Sequence, residues 1–159
     1  MKKPIVLVTG ACVNTGVAIV EKFASEGNDV VFTGRNEERV KEAEERYREK
    51  FSGVSVRGRV LDALIDERTV DEKSAEALFA SLDREGVFAE TLVLNAADQG
   101  LSMEIFENPL TDFQRVFNTN VVWNYCLTEA AARRMKEEGG AFSVCKKFPP
   151  LQDGNFVIQ

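Results

Sequence analysis

Short apolar runs alternate with segments of helical periodicity along most of this chain. The runs are rich in β-branched residues, which favours buried strands, and most are followed by apolar residues spaced three or four positions apart. This alternation predicts βαβ units, in which helices join parallel strands and cover the faces of the sheet. The predicted strands cover about residues 5–8, 29–33, 54–61, 91–94 and 141–145.

Four helices are predicted between these strands. The first covers about residues 15–26 and ends at Gly27, which suits the position just after a helix. Asn36 can cap the second helix through its side chain, and Gly86 closes the third. The fourth, over about residues 111–138, is the longest. With right-handed crossovers, these elements predict an α/β fold with a Rossmann-like, doubly wound parallel sheet of strand order 3-2-1-4-5.

The length and composition are those of one ordinary globular domain. The chain has 159 residues, of which 44% are hydrophobic, so it can bury a sizeable core. We expect the folded domain to cover residues 1–145 and an irregular tail to follow at residues 146–159.

Charge and residue usage exclude several classes of partner. The net charge is −6 and no basic stripe is present, so nucleic acid is not an expected partner. The chain has no histidine and only three widely spaced cysteines, Cys12, Cys126 and Cys145, which predicts no metal site and reduced thiols. The first apolar run is too short for a signal peptide or a membrane span. We therefore expect a cytoplasmic protein without a membrane partner.

The first predicted strand ends abruptly at Thr9 and Gly10, and a short loop leads to Gly16 at the start of a helix. Such a turn favours an anion, because unpaired N–H groups and the helix dipole converge at the helix N-terminus. A pyrophosphate suits this cradle, since glycines allow close approach of the backbone. The alternative is a plain strand–turn–helix corner that binds nothing.

The spacing Gly10-x3-Asn14-x-Gly16 resembles the Thr-Gly-x3-Gly-x-Gly loop of the short-chain dehydrogenase/reductase family. Asn14 replaces the middle glycine, and asparagine tolerates a left-handed backbone well. The resemblance extends over about residues 4–141. It implies a Rossmann-like domain for a nicotinamide dinucleotide, with a sheet that is incomplete at its C-terminal side. Within the loop it assigns cofactor binding to Thr9, Gly10, Cys12, Asn14, Thr15 and Gly16.

Further positions match the family along the chain. Arg35 follows the second strand, where the family binds the adenosine ribose, and a cation there suits NADP better than NAD; the alternative is a solvated surface arginine. Asp62 matches an aspartate that binds the adenine amino group, the alternative being a helix cap or loop residue. Asn95 and Ala96 match the family's Asn-Asn-Ala-Gly turn, whose second asparagine braces the sheet and lines the nicotinamide ribose.

Asn120 is the one catalytic residue that the resemblance assigns. It lies inside the predicted fourth helix, in the segment Asn118-Thr119-Asn120, where asparagine carries a propensity cost relative to alanine. In the family, the asparagine at this position holds a water molecule of the proton relay. The alternative is an asparagine buried for packing.

The family's catalytic tyrosine and lysine have no counterpart in this chain. The family transfers hydride between nicotinamide and a carbonyl or alcohol, using a Tyr-x-x-x-Lys pair and a serine. Tyr47 and Tyr125 are not followed by lysine four positions later, and Ser143 comes too early for the catalytic serine. Pro149 and Pro150 disfavour the helix that would carry the tyrosine. Loss of the acid–base residue costs about 10²–10⁴ in rate, so we expect an inactive polypeptide.

We therefore interpret the chain as an NAD(P)-dependent oxidoreductase by resemblance, with NADP favoured over NAD and with an unknown small carbonyl or alcohol as the substrate of full-length relatives. The alternative is a non-catalytic NADP-binding module or a non-functional relic. For the tail, we favour a reading frame interrupted near codon 141 over a genuine short protein. An apolar face on the 111–138 helix predicts a homo-oligomer.

Overall fold

A computed structural model of the chain describes residues 2–66, 68–100 and 110–138, together with the backbone of residues 144–146. The strands are β1 (Lys3–Val8), β2 (Val30–Gly34), β3 (Val56–Val60), β4 (Val87–Leu94) and β5 (Val144–Lys146). The helices are α1 (Asn14–Ser25), α2 (Glu37–Lys50), α3 (Glu72–Arg84), α4 (Leu110–Phe117) and α5 (Trp123–Glu137). A π-helical turn, Asn118–Val122, joins α4 to α5.

The five strands form one parallel sheet in the order β3-β2-β1-β4-β5, which confirms the predicted topology. The order reverses between β1 and β4, so a crevice opens at the carboxyl ends of these strands. Strand β5 pairs with β4 from Val144 onwards, whereas residues 141–143 of the predicted strand lie outside the described residues. Residues 147–159 also lie outside them, so the division into domain and tail stays a prediction.

Strand β4 begins at Val87 rather than at residue 91, so its predicted start is wrong. Residues Val87 to Ala89 pair with the beginning of β1, and the register then shifts so that Val6 pairs with Thr91. This bulge leaves Glu90 exposed between the buried Ala89 and the half-buried Thr91. Glu90 interrupts the apolar run in the sequence. For this reason the apolar pattern predicts only the second half of the strand.

The core lies on both faces of the sheet. Successive side chains of β1 point to opposite faces, so Val6 and Val8 pack with α1 and α2, whereas Ile5 and Leu7 pack with α3 and α5. Each large apolar side chain that is fully buried contributes about 1.5–3 kcal/mol relative to an exposed one. The apolar residues at helical spacing in α2 and α3 are buried: Val40, Ala43 and Tyr47, and Ala75, Leu78, Phe79 and Leu82. Phe51, at the same spacing, follows the end of α2 and is half-buried.

The predicted fourth helix is interrupted where its asparagines lie. The N–H of Trp123 donates to the carbonyl of Asn118, five residues earlier, which is the hydrogen bond of a π-helix. The buried side chain of Asn124 donates to the carbonyl of Asn120 over 2.7 Å. The prediction of a single regular α-helix over residues 111–138 is therefore wrong at this turn. The asparagine side chains there can form hydrogen bonds with backbone groups, which apolar side chains cannot.

No helix within the described ranges combines the length and apolar character needed to cross a bilayer.

A network of ion pairs ties α3 to α5. Arg134 donates from Nε to Asp83 over 2.7 Å and from Nη2 to Glu76 over 2.5 Å, and Lys2 donates to Asp83 over 2.8 Å. Burial alone would raise the pKa of Asp83, but the hydrogen bonds from Lys2 and Arg134 outweigh it and lower that pKa. The hydrogen bond from Arg134 also lowers the pKa of Glu76.

We expect the free energy of unfolding to fall as the pH is lowered into the acidic range. We expect this fall to be smaller in Arg134→Met than in the wild type. Both carboxyl pKa values are lower in the folded than in the unfolded state. Their contribution is therefore complete above about pH 5 and is lost as the pH falls through the folded values. Urea denaturation at about pH 7 and about pH 4 measures this difference. The control is Arg133→Met, which removes an exposed pair with Glu129 on the same helix. An equal pH dependence in Arg134→Met and wild type would contradict the expectation.

Candidate nucleotide site at the strand ends

A crevice of about 770 Å³ lies at the carboxyl ends of the first four strands. Open α/β sheets bind ligands at this position, outside the point where the strand order reverses. The structure brings together in its lining all ten residues predicted to bind the cofactor, although their roles in binding stay predictions. These residues are Thr9, Gly10, Cys12, Asn14, Thr15, Gly16, Arg35, Asp62, Asn95 and Ala96.

The two glycines of the β1–α1 loop stand where no side chain fits. A Cβ atom on Gly10 would lie 2.7 Å from Cα of Ala96, and its φ of +65° is left-handed. A Cβ atom on Gly16 would lie 2.5 Å from the carbonyl oxygen of Gly10. Asn14 has a φ of +52°, which confirms the left-handed backbone expected at the position of the missing glycine.

Side chains from two other strand ends hold this loop in place. The amide Nδ2 of Asn95 donates to the carbonyls of Thr9 and Gly10 over 3.1 and 2.9 Å. In return, Oγ1 of Thr9 accepts from the N–H groups of Asn95 and Ala96, both over 3.0 Å. The N–H of Gly10 donates to Oγ1 of Thr33 over 3.3 Å. The loop therefore has its shape before a ligand arrives, which lowers the entropy cost of binding.

The N-terminus of α1 opens into the crevice without a side-chain cap. Val13 occupies the cap position, and its apolar side chain accepts no hydrogen bond from the helix. The first turn carries no acidic residue, and its residues Asn14, Thr15 and Gly16 line the crevice. Helix N–H groups and the positive end of the dipole thus meet at a cradle closed by glycines, and this arrangement fits a pyrophosphate.

Two arginines line the β2 end of the crevice. Arg35 follows the strand directly, and Arg39 lies one helical turn further on, in the first turn of α2. Asn36 caps this helix, its Oδ1 accepting from the N–H of Arg39 over 2.9 Å, as predicted. No acidic residue lines the crevice between Thr33 and Arg39. Arg39 was not among the predicted residues, because it lies within a highly charged helix and belongs to no motif.

Asp62 is a loop residue rather than a helix cap. Its Oδ1 accepts from the N–H of Leu64 over 3.3 Å, within the segment that joins β3 to α3. The cap of α3 is Asp71, which accepts from the N–H of Ser74 over 3.1 Å. Asp62 is exposed and lines the crevice, so its carboxylate is accessible to a ligand.

Cys12 packs the loop against the end of β2. A Cβ atom on Gly34 would lie 2.4 Å from Sγ of Cys12, so this contact needs glycine. Burial raises the pKa of the Cys12 thiol, although Arg46 and Arg39 oppose the shift. The thiol is therefore neutral near pH 7, and it can contact a ligand without acting as a nucleophile.

Asn120 does not line the crevice and instead bonds to the loop after β4. Its Oδ1 accepts from the N–H of Asp98 over 2.8 Å, and its Nδ2 donates to the carbonyl of Asp98 over 2.7 Å. The proton-relay role predicted for Asn120 is not tested by this geometry. Asp98 and its ion pair with Arg115 were not predicted, because a contact between a loop and a helix has no local sequence signal.

Neither tyrosine belongs to the lining of the crevice. The hydroxyl of Tyr47 donates to the carbonyl of Ala11 over 3.0 Å, and burial raises the pKa of this phenol. Tyr125 lies on the outer face of α5, 66% exposed. Within the described residues, the lining of the crevice therefore includes no tyrosine that could act as a general acid.

The comparisons with known proteins agree with this geometry. A family model described as short chain dehydrogenase matches residues 4–144. Sulfoacetaldehyde reductase 2 of Chromohalobacter salexigens is 31% identical over 140 residues, which cover 88% of this chain and 52% of that protein. The NADP-dependent (R)-specific alcohol dehydrogenase of Lentilactobacillus kefiri is 25% identical over 144 residues, which cover 91% of this chain and 53% of that protein. The chain thus spans about half the length of the curated relatives it matches.

Solved structures share the same arrangement of strands and helices. An NAD+-bound xylitol dehydrogenase superimposes with a TM-score of 0.75 at 30% identity, over 87% of this chain and 50% of that one. L-sorbose reductase from Gluconobacter frateurii, complexed with NADPH and L-sorbose, superimposes with a TM-score of 0.73 at 27% identity. The match covers 87% of this chain and 50% of that one. Because the family model matches nearly the whole chain, with the strand order and the glycine loop in agreement, this chain belongs to the short-chain dehydrogenase family.

Proposed function

We propose that this chain binds NADP(H) in the crevice, with the 2′-phosphate between Arg35 and Arg39. The observation that carries the proposal is the presence of two guanidinium groups, and of no carboxylate, at the β2 end. A carboxylate there would accept hydrogen bonds from the ribose hydroxyls of NAD, whereas guanidinium groups offer planar donors to a phosphate. Similar structures contain either NAD+ or NADPH, so the fold alone does not select the cofactor. The proposal of NADP(H) therefore rests on the side chains of Arg35 and Arg39.

Each part of the crevice has a binding role in this proposal. The N–H groups at the start of α1 hold the pyrophosphate, and Gly10 and Gly16 let it approach the backbone. Asp62 binds the adenine, while Asn95 and Ala96 line the nicotinamide ribose. The dinucleotide, when bound, supplies or accepts a hydride. Cys12, Asn14, Thr15 and the braced Thr9 complete the wall that orients it.

We propose further that the polypeptide of residues 1–159 binds the cofactor without transferring hydride. No tyrosine in its sequence is followed by lysine four positions later, and no tyrosine of the described residues lines the crevice. A small carbonyl or alcohol substrate belongs to the proposal only for a complete family enzyme, in which Asn120 contributes to the proton relay. A cytoplasmic location is part of the same proposal.

An apolar surface on the last helices supports a proposal about assembly. Five large side chains spaced three or four residues apart are exposed there: Leu110, Phe113, Phe117, Val121 and Tyr125. Burial of such a face is favourable, so we propose a homo-oligomer formed through the 111–138 segment.

Arg35→Asp is expected to weaken NADPH binding about tenfold while NADH binding stays within about threefold of wild type. The substitution removes a cation from the 2′-phosphate and adds a charge that repels it, whereas NADH has no phosphate at this position. Fluorescence titration with each dinucleotide measures the ratio. The control is Lys41→Asp, on the exposed face of α2 outside the crevice, which changes the net charge equally.

Three outcomes would contradict the proposals. An unchanged ratio of NADPH to NADH affinity in Arg35→Asp would overturn the assignment of the 2′-phosphate. A wild-type chain that binds neither dinucleotide would overturn the binding function and favour the non-functional relic. Turnover of a carbonyl substrate by this polypeptide would overturn the proposal that it does not transfer hydride.

A further inference from the structure

The loop after β4 is held at a single residue by groups from the π-helical turn, from α4 and from the loop itself. The backbone N–H and carbonyl of Asp98 both bond to the side chain of Asn120, in the π-helical turn. Its Oδ1 accepts from the N–H of Gly100 over 2.9 Å, and its Oδ2 is paired with the guanidinium of Arg115, on α4. Both backbone groups and both carboxylate oxygens of Asp98 are therefore bonded.

The ion pair between Asp98 and Arg115 is mostly shielded from water. The side chains are only 15% and 25% exposed. A charge-assisted hydrogen bond in such surroundings is stronger than one between exposed groups, which contributes little. Asp112 also faces Arg115, but at 3.7 Å and from the same helix, so it cannot attach the loop to α4.

Asp98 belongs to the end of the crevice that lies opposite the two arginines. Residues 95–99 line this end, together with Thr119 and Trp123. Because β1 lies between β2 and β4 in the sheet, the cradle that follows β1 lies between this end and Arg35. A dinucleotide with its adenosine half beside Arg35 and its pyrophosphate in the cradle therefore extends its nicotinamide half towards residues 95–99.

We infer that Arg115, acting through Asp98, is a positioning residue for the nicotinamide half of the cofactor, an inference that rests on the proposed binding of NADP(H). Arg115 does not line the crevice, so it acts by holding the wall rather than by touching the ligand. Without Arg115, the shielded carboxylate of Asp98 loses its cation, and residues 95–99 gain freedom that binding must remove again. The adenosine half, held by other segments, is unaffected.

Two ligands separate this role from a general structural one. NADPH occupies both halves of the crevice, whereas adenosine 2′,5′-bisphosphate occupies only the adenosine half. In the 159-residue chain, Arg115→Met is expected to weaken NADPH binding about tenfold and adenosine 2′,5′-bisphosphate binding less than about twofold. Arg115→Lys keeps the cation and is expected to restore most of the NADPH affinity. Arg133→Met, which removes an exposed helical ion pair, is expected to change neither.

An equal loss of both ligands in Arg115→Met, or an unchanged affinity for NADPH, would overturn the inference alone. If Arg115→Met does not fold, Asp98→Asn takes its place, since it removes the charge and keeps the backbone contacts with Asn120. The same difference between the two ligands is then expected, and its absence overturns the inference. A wild-type chain that binds neither ligand overturns the proposed function together with the inference.

Discussion

Replacing Gly16 by alanine is expected to weaken NADPH binding about ten- to a hundredfold. The new Cβ atom would lie 2.5 Å from the carbonyl oxygen of Gly10, 2.6 Å from Cα of Ala11 and 2.8 Å from Nδ2 of Asn95. Two of these atoms belong to the backbone, and the third is held by two hydrogen bonds, so none can move away cheaply. The β1–α1 loop must shift instead, which changes the cradle for the pyrophosphate.

Fluorescence titration with NADPH measures this loss, and thermal unfolding shows whether the variant is folded. The matched control is Gly53→Ala, because a Cβ atom on Gly53 would meet nothing within 4 Å. Gly53 does not line the crevice, so its substitution is expected to leave the affinity unchanged. Wild-type affinity in Gly16→Ala would show that the cradle does not bind the cofactor through its backbone.

Thr9→Val is expected to lower the free energy of unfolding by about 1–3 kcal/mol. Thr9 is 1% exposed, and its Oγ1 accepts from the N–H groups of Asn95 and Ala96, both over 3.0 Å. Valine has nearly the same shape but no acceptor. The N–H of Ala96 would lose this partner, whereas the N–H of Asn95 would keep its hydrogen bond to the carbonyl of Val93 over 3.2 Å. Leaving one such group without an acceptor costs about 1–3 kcal/mol.

Urea denaturation at neutral pH measures the change. The matched control is Thr9→Ser, which keeps the acceptor and removes one buried methyl group, at a cost of about 1 kcal/mol. If Thr9→Val and Thr9→Ser lose equal stability, packing of the methyl group rather than hydrogen bonding holds the two strand ends together. That result would also weaken the argument that the loop has its shape before the cofactor binds.

The elements of the fold were predictable because their signals are local. The apolar run of β1, the cap at Asn36 and the glycine spacing from Gly10 to Gly16 each involve fewer than about ten consecutive residues. The left-handed backbone of Asn14 follows from the same short motif. The order of the sheet followed from the handedness of crossovers, which holds for nearly all parallel connections.

Two elements were mispredicted because a distant contact overrides the local pattern. The first half of β4 is recognisable only through its pairing with β1 and the bulge at Glu90. The π-helical turn occurs where Asn120 bonds to the backbone of Asp98, 22 residues away in the sequence. In each case, the deciding contact joins two elements that are far apart in the sequence.

The sequence by itself determined the strand order, the glycine loop, the candidate cofactor residues and the absence of a Tyr-x-x-x-Lys pair from this chain. Only the tertiary structure decided how the crevice is held. It joined Thr9 to Asn95 across 86 positions, set Arg39 beside Arg35 at the crevice and paired Arg115 with Asp98. The physical reason is that hydrogen bonds and ion pairs between separate elements depend on strand register and helix packing. Individual hydrogen bonds and ion pairs of this kind leave no periodic signal in the chain.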